Sequence, residues 1–534
     1  MQARADHRKH PQRAGPPRRE HRRETAKEPF LRSTVFVPGE PVSPYLADWH
    51  LAFASLDPKL AAPLEIWFDR GPHEPIVELL PLPRRPGNCD WRLVALHISA
   101  LINNVLCVYG AKGVSIIAKE SPLPADVLDG VAKNLFLPPD TFSNMPLSVI
   151  HTLGEQLFDA PCSLDTDRSR ADALRETLKK PRPPRIGGTT TNASGLALAI
   201  NVGQHLTSWG LVRIDAGGRH SVTELHRLKS RPQGQALCFS KIFRQLMADI
   251  RQQLAGNADA IEAVGVAMAA TVVSGKILSS GPFGLFEGSC TETLNKMTEL
   301  LRRDCQSQFP GRTVAFANDA AAQALFAFHY AGGRELLAGA GNGSHMLSVR
   351  LGACPCVHCL DYAGESPVGL HEYGWLATRL STDRSSSSLF ATIRFYLSHY
   401  GVAAVAHELG LLDRYNLHPE AAIPFFHERL LSAEPGKRRE AAKVYGILGA
   451  HLAMLAYEIH RHRPLAAIIL LGSRANWIDQ PAFAAIQDGF ASFASGHGLP
   501  LGPVRIVLAE EASAQAGLVG VAHAALLQAH AASA

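Results

Sequence analysis

The chain has 534 residues, 46% of them hydrophobic and 19% charged, with a formal net charge of +5; this allows two or three ordinary cores and excludes a wholly disordered or fibrous chain. No run approaches the roughly 18 uninterrupted apolar residues of a membrane span, and the N-terminus lacks the apolar core of a signal peptide, so a cytoplasmic location without membrane attachment is expected. Nine cysteines, grouped only at Cys354, Cys356 and Cys359, are too few and too uneven for a disulfide scaffold and fit a reducing compartment.

Residues 1–28 hold nine Lys or Arg against four acids, which accounts for the whole net charge. Such a Pro-interrupted basic segment packs no core, so residues 1–31 are expected to form a disordered tail, either merely solvated or attracted to phosphate backbones regardless of sequence. Residues 32–110 mix Pro-rich turns (PLPRRPGN) with the helical stretch RLVALHISALINNVLCVYG, which predicts a small domain of no assigned role. Residues 111–160 read as short helices between Pro-rich turns. Residues 161–194 are charged, then rich in Pro, Gly, Thr and Asn, and are expected to be a linker and domain boundary.

From residue 195 to the C-terminus the pattern changes to strands alternating with helices. Strands are predicted at LALAINVG and GLVRID, a helix at SKIFRQLMADIRQQLAG, a strand at AVGVAMA, a helix at TLNKMTELLRRDC and a strand at TVAFAND. A helix at AAAQALFAFHYAG, a strand at HMLSVRLG, a helical region from Leu389 to His460, the strand AAIILLG and the helix AQAGLVGVAHAALLQ follow. Alternation of this kind implies a layered α/β domain with helices on both sheet faces.

Asp319 ends the apolar strand TVAFAND just where a helix begins. Its carboxylate is therefore expected to project from the sheet edge, a position suited to a general base, or else to cap the helix that follows. Asn318 stands beside it. The string ANDAAAQALFAFHYAGG resembles the NDANAAALGE segment of the ROK sugar kinases and repressors, and four further segments occur in that family's order. LALAINVGQHLTSWGLVRID is similar to its first phosphate strand-turn-strand, AVGVAMAATVVSGKIL to GIGVPGPVD, GLHEYGW to GEIGH, and AAIILLGSR with AQAGLVGVAHAAL to the terminal strand and helix. The resemblance implies an actin-like (ribonuclease H-like) two-lobed sugar-kinase fold over residues 195–534, preceded by a small α/β or winged-helix-like region. It assigns sugar contacts to Asn318, Asp319, Glu372 and Trp375, with Asp319 at the general-base position, and phosphate-facing positions to Asn201, Gly203, Gly352 and Gly472.

The departures from the family pattern bear on activity. Where the family reads DIGGT, this chain has Asn201, Val202, Gly203, Gln204 and His205, so a metal-facing carboxylate and a glycine are gone. Where the family reads LGTGIGGG, the chain has Leu351, Gly352, Ala353, Cys354, Pro355, Cys356, Val357 and His358; a proline removes one donor, and side chains crowd the cradle. Trp375 replaces the family's zinc-binding His, and no cysteine follows it, so the family's zinc site is absent. Cys354, Cys356 and Cys359 form a weak metal candidate beside the alternative of free buried thiols. No resident cofactor is expected; ATP and magnesium would be needed only by an active kinase.

Some ROK repressors carry a winged helix-turn-helix before the kinase-like fold. GVSIIAKESPLPADVLDGVAKNLFLPPDTFSN matches that layout, with a first helix at its start, a second at DVLDGVAKNL and a third from Asp140, although Pro146 and the lack of basic residues on the third speak against base readout. An ordinary helical hairpin is the alternative. The expectation is a sugar-sensing ROK-type regulator, or a degenerate relative, without phosphoryl transfer; an ATP-dependent carbohydrate kinase and a ligand-free pseudokinase scaffold are the alternatives. Partners would be a small-molecule sugar, DNA for a regulator, and further copies of the chain in a homodimer or homotetramer.

Overall fold

The computed structural model describes residues 61–71, 73–83, 91–111, 113–118, 123, 125–134, 163–166, 168–179, 193–203, 206–229, 239–273, 275–279, 296–341, 343–351, 355–367, 371, 373–380, 390–398, 401–472, 478–509 and 515–533. The basic tail and the helix expected from Asp140 lie outside them.

The N-terminal unit is built from β1 (Ala61–Asp69), β2 (Ile76–Pro83), α1 (Trp91–Tyr109), β3 (Gly113–Ala118), α2 (Ala125–Asn134), β4 (Ser163–Asp165) and α3 (Arg168–Lys179). Its sheet has the order β2-β1-β3-β4, with β1 antiparallel to both neighbours and β4 parallel to β3. This corrects two expectations. GVSIIA, anticipated as the first helix of a helix-turn-helix, is the buried central strand β3, as its β-branched residues favour. The anticipated linker contributes β4 and α3 to the same sheet and its flank, so the expected breaks at residues 110 and 160 fall within one unit. The helix at DVLDGVAKNL forms as expected, as α2.

The first lobe keeps the predicted elements in order and adds one strand, His220–Lys229. It contains β5 (Gly195–Val202), β6 (Leu206–Ile214), β7 (His220–Lys229), α4 (Phe239–Leu254), β8 (Ala263–Met268), α5 (Met297–Gln308), β9 (Thr313–Asn318) and α6 (Asp319–Tyr330). Its sheet order is β9-β8-β5-β6-β7: a three-stranded antiparallel meander whose first strand continues sideways into two parallel strands. That strand order is the ribonuclease H-like one. Strands β5 and β8 are covered on both faces, which is why they read as continuous apolar runs.

The second lobe repeats the plan with β10 (His345–Leu351), β11 (Pro355–Asp361), α7 (Pro435–His460), β12 (Leu465–Leu471), α8 (Gln480–Gly496), β13 (Arg505–Ala509) and α9 (Ala516–Ser533). The order β11-β10-β12-β13 again places an antiparallel hairpin beside two parallel strands. Two such sheets in succession give the actin-like, two-lobed architecture.

Helices α6 and α9 lie between the two sheets. Their core joins Ala199, Ala267 and Ala315 of the first sheet to Met346 and Ile469 of the second. Small residues permit this: a β-carbon on Gly520 of α9 would collide with the Ala322 carbonyl of α6, and one on Gly265 of β8 would lie 2.5 Å from the Val521 carbonyl. The outer face of the second sheet shares a continuous core with α7, α8 and the N-terminal unit, from Leu64 and Ile98 to Leu452 and Phe490. Among the described residues no helix is long and apolar enough to cross a membrane.

Candidate functional site

Val202, Met268 and Asn318 stand in register at the C-terminal ends of β5, β8 and β9, the edge at which open α/β sheets present their chemistry. Asn318 is the N-cap of α6, its Oδ1 accepting from the N–H groups of Ala320 at 2.8 Å and Ala321 at 3.3 Å. Its Nδ2 donates to the Ala270 carbonyl at 2.9 Å. The amide is thus tied to its own scaffold at both ends. With the cap supplied by Asn318, Asp319 occupies the first helical position and the capping alternative for it falls away.

Asp319 faces the second lobe. Its Oδ1 accepts from the Ala320 N–H at 2.9 Å, and its Oδ2 lies 3.6 Å from the Cys356 thiol, which donates to it from β11. Burial pushes the carboxyl above the usual carboxylate range, against the hydrogen bonds from Cys356 and the Ala320 N–H and the charge of Arg350. A carboxyl so raised is a stronger base once ionised. The contact joins the two sheets across α6.

Of the positions expected to face phosphate, Asn201 and Gly203 lie at the end of β5 and Gly472 directly follows β12. Asn201 packs on the first turn of α9, where a β-carbon on Gly517 would lie 3.1 Å from its Nδ2, and its Oδ1 is buried without a hydrogen-bond partner. The Gly203 N–H donates to the Leu206 carbonyl at 3.0 Å, closing the turn between β5 and β6. A β-carbon there would sit 2.8 Å from that oxygen, so the surviving glycine serves the turn itself. The Gly472 N–H at the end of β12 donates to the Ala509 carbonyl at 3.1 Å. Gly352 and Cys354 lie outside the described residues.

Magnesium and a triphosphate fit these residues poorly. Asn201 supplies no charge, and the N–H groups of both described glycines are committed to the protein's own carbonyls.

Of the residues expected to contact a sugar, Glu372 lies outside the described residues, preceding a short 3-10 turn, Tyr373–Trp375. Trp375 is thereby placed on the turn. Cys356 and Cys359 are three positions apart on the extended strand β11 and so project from opposite faces. Cys356 meets Asp319, while Cys359 sits in the core with its thiol pushed up to about 12 by burial. They do not share a ligand, and among the described residues no group of three metal-binding side chains converges.

Fold and junction together define a two-lobed, actin-like protein in which the Asp319 carboxylate meets Cys356 of the second sheet. No family model matches the sequence, and no curated protein matches it. Solved structures similar to the chain include a ROK family glucokinase from Streptomyces griseus in complex with glucose and AMPPNP, at 17% identity and TM-score 0.44, covering 62% of this chain and 99% of that one. A ROK hexokinase from Thermus thermophilus is similar at 15% identity and TM-score 0.44, over 63% of this chain and 99% of that one. A ROK family transcriptional regulator, homologous to the E. coli MLC protein, is similar at 12% identity and TM-score 0.46, over 82% of this chain and 97% of that one. The strand order and register of the two sheets, rather than these overlaps, carry the fold.

Two features of the site escape a reading of the sequence. Cys356 stands out there as a metal candidate and here donates to Asp319, on a strand that turns it away from Cys359. Arg463 donates to the Tyr373 hydroxyl and the His371 N–H points at the Val108 carbonyl, contacts that no local pattern announces.

Proposed function

We propose that the chain is a sugar-binding, ROK-type protein that holds its ligand between the lobes beside Asp319 and does not transfer phosphoryl groups. The observation that carries this reading is the state of the Gly203 and Gly472 N–H groups, both already donated to main-chain carbonyls. Phosphoryl transfer depends on such donors and on a metal-facing acid to stabilise the transferring group. The carboxylate side of the junction keeps its form, with Asn318 anchored and Asp319 directed at the opposite lobe. An N-terminal α/β unit packed on the second lobe suits a sensor, in which ligand occupancy is read by an appended unit. DNA is the proposed target of that output, and homo-oligomerisation is proposed with it.

A thermal-shift screen of hexoses and N-acetylaminosugars, with and without ATP and magnesium, tests the reading. A sugar alone should raise the transition, and ATP should add nothing. Absence of a salt-sensitive gel shift on the gene's own upstream DNA would remove the regulator output while leaving sugar binding intact.

A kinase reading draws on the raised pKa of Asp319, which suits a general base. ATP turnover with any of these sugars, abolished in Asp319→Asn, would establish it over the sensor.

A further inference from the structure

A second cluster of buried polar groups lies where the N-terminal unit meets the second lobe, at His371 and the Tyr373–Trp375 turn. The Tyr109 hydroxyl at the end of α1 donates to the Ile459 carbonyl at 3.1 Å, and the Arg463 guanidinium stacks over the Tyr109 ring at 4.5 Å. Arg463 Nη1 donates to the Tyr373 hydroxyl at 3.5 Å, and that hydroxyl lies 3.0 Å from His371 Nδ1. Tyr109, Arg463 and Tyr373 are all buried, so these contacts are made away from solvent. Burial, with His358 and Arg463 close by, holds His371 well below its ordinary pKa. A neutral Nδ1 can accept from Tyr373 while the Tyr373 oxygen accepts from Arg463, which gives the relay one direction.

Two backbone features bind the same turn to α1. His371 adopts a φ of 59°, in the left-handed region that a β-carbon disfavours. Its N–H points at the Val108 carbonyl at 3.5 Å, one of the terminal helix carbonyls that no intrahelical donor reaches. A residue held in so unfavourable a conformation persists because its surroundings fix it, and here the fixing groups come from α1 and from the segment after α7.

We infer that Tyr109 and Arg463 are positioning residues that fasten the end of α1 to the His371–Trp375 turn, so that docking of the N-terminal unit and ligand binding by that turn form one coupled equilibrium. The inference rests on the reading of that turn as the sugar-binding one. By linkage, a sugar that orders the turn tightens the docking of the N-terminal unit, and loosening the unit weakens the sugar by the same factor.

The test uses the full chain as wild type, Arg463→Met, Tyr109→Phe and the surface control Arg414→Met. Amide hydrogen exchange at residues 105–110 and 371–376 is measured without ligand, and glucose and N-acetylglucosamine are titrated by calorimetry. In Arg463→Met, exchange should accelerate about tenfold in both segments together, and affinity for the sugar that binds wild type should fall about tenfold, in line with a typical coupling. Tyr109→Phe keeps the ring beneath Arg463 and should show a smaller change of the same sign; it carries the test if Arg463→Met does not fold. Acceleration confined to one segment, or an unchanged sugar affinity in a variant whose exchange has accelerated, overturns the coupling. If neither sugar binds wild type, the sugar reading of the turn fails, and the two exchange profiles still decide whether α1 fastens it.

Discussion

Removing Glu78 should release the N-terminal unit from the second lobe before either body unfolds. Glu78 on β2 accepts from Arg461 Nη1 and from His462 Nε2, both at 2.5 Å, and Arg461 also donates to Glu458 at 2.8 Å. The Glu78 and Arg461 side chains are 5% and 12% exposed, so this pair is screened little by solvent. Burial works against the charge on Arg461, but Glu458 and Glu78 outweigh it and hold the guanidinium above its ordinary pKa. Breaking a buried pair from one side costs about 3–5 kcal/mol because the remaining charge stays desolvated. Glu458 still neutralises part of Arg461 after Glu78→Ala, so the lower end, about 3 kcal/mol, is expected. With a urea slope of roughly 2–3 kcal/mol per molar, the transition of the N-terminal unit should move down by about 1 M. Urea unfolding followed by tryptophan fluorescence, with limited proteolysis to locate the released segment, measures it. The double variant Glu78→Ala/Arg461→Met should recover part of the loss, with a coupling of about 1 kcal/mol or more. A midpoint unmoved in Glu78→Ala, or strictly additive losses, would refute the claim that this pair anchors the unit.

Asn318→Ala should lower stability by about 1–2 kcal/mol through loss of the α6 cap, read as a shift in the denaturant midpoint; Asn318→Asp, which keeps the capping oxygen, should lose less. Gly489→Ala on α8 should cost about 3 kcal/mol or prevent soluble expression, since its β-carbon would strike the Gly446 carbonyl of α7 where the two helices cross. Stability should fall as pH drops below about 6.5, because burial holds His523 at about 3 and His329 at about 4, so the unfolded chain binds protons that the folded one refuses. In His523→Leu the difference between denaturant midpoints at pH 7 and pH 5 should shrink.

What was legible in the sequence follows from where each residue sits. GLALAINV and AVGVAM are covered on both faces and announce themselves as apolar runs, and Asp319 was legible because a buried strand ends abruptly at the start of a small-residue helix. Strand β7, HSVTELHRLK, lies at the open edge with little of it buried, so it has no apolar face to read. GVSIIA carries a strand signal in Val, Ile and Ile, which its place in a helix-turn-helix-like layout masks. Residues 351–358 align with the family's phosphate loop, whereas Pro355–Asp361 form a strand, whose period of two turns Cys356 to one side and Cys359 to the other. The hydrogen bond of Tyr109 to Ile459 spans 350 positions of sequence; no pattern within a window records a contact of that kind, which the packing of the N-terminal unit on the second lobe creates.

The junction also sets how far activity could be restored. Asn201→Asp returns the missing acid beside the first turn of α9, where the helix N-terminus favours a negative charge, so the variant should fold. Removing a single preorganised donor from an oxyanion-type site costs about 2.7–4 kcal/mol of transition-state stabilisation, or 10²–10³ in rate. The Gly203 and Gly472 N–H groups are both committed to carbonyls, and at that rate per donor the two losses together amount to roughly 10⁴ or more. One restored carboxylate does not replace two directed N–H groups, so Asn201→Asp should show no sugar-dependent ATP turnover in a coupled assay, while sugar binding remains as in wild type. Turnover in that single variant would mean that a metal-facing acid was the missing part and that the committed glycine donors are no barrier to phosphoryl transfer.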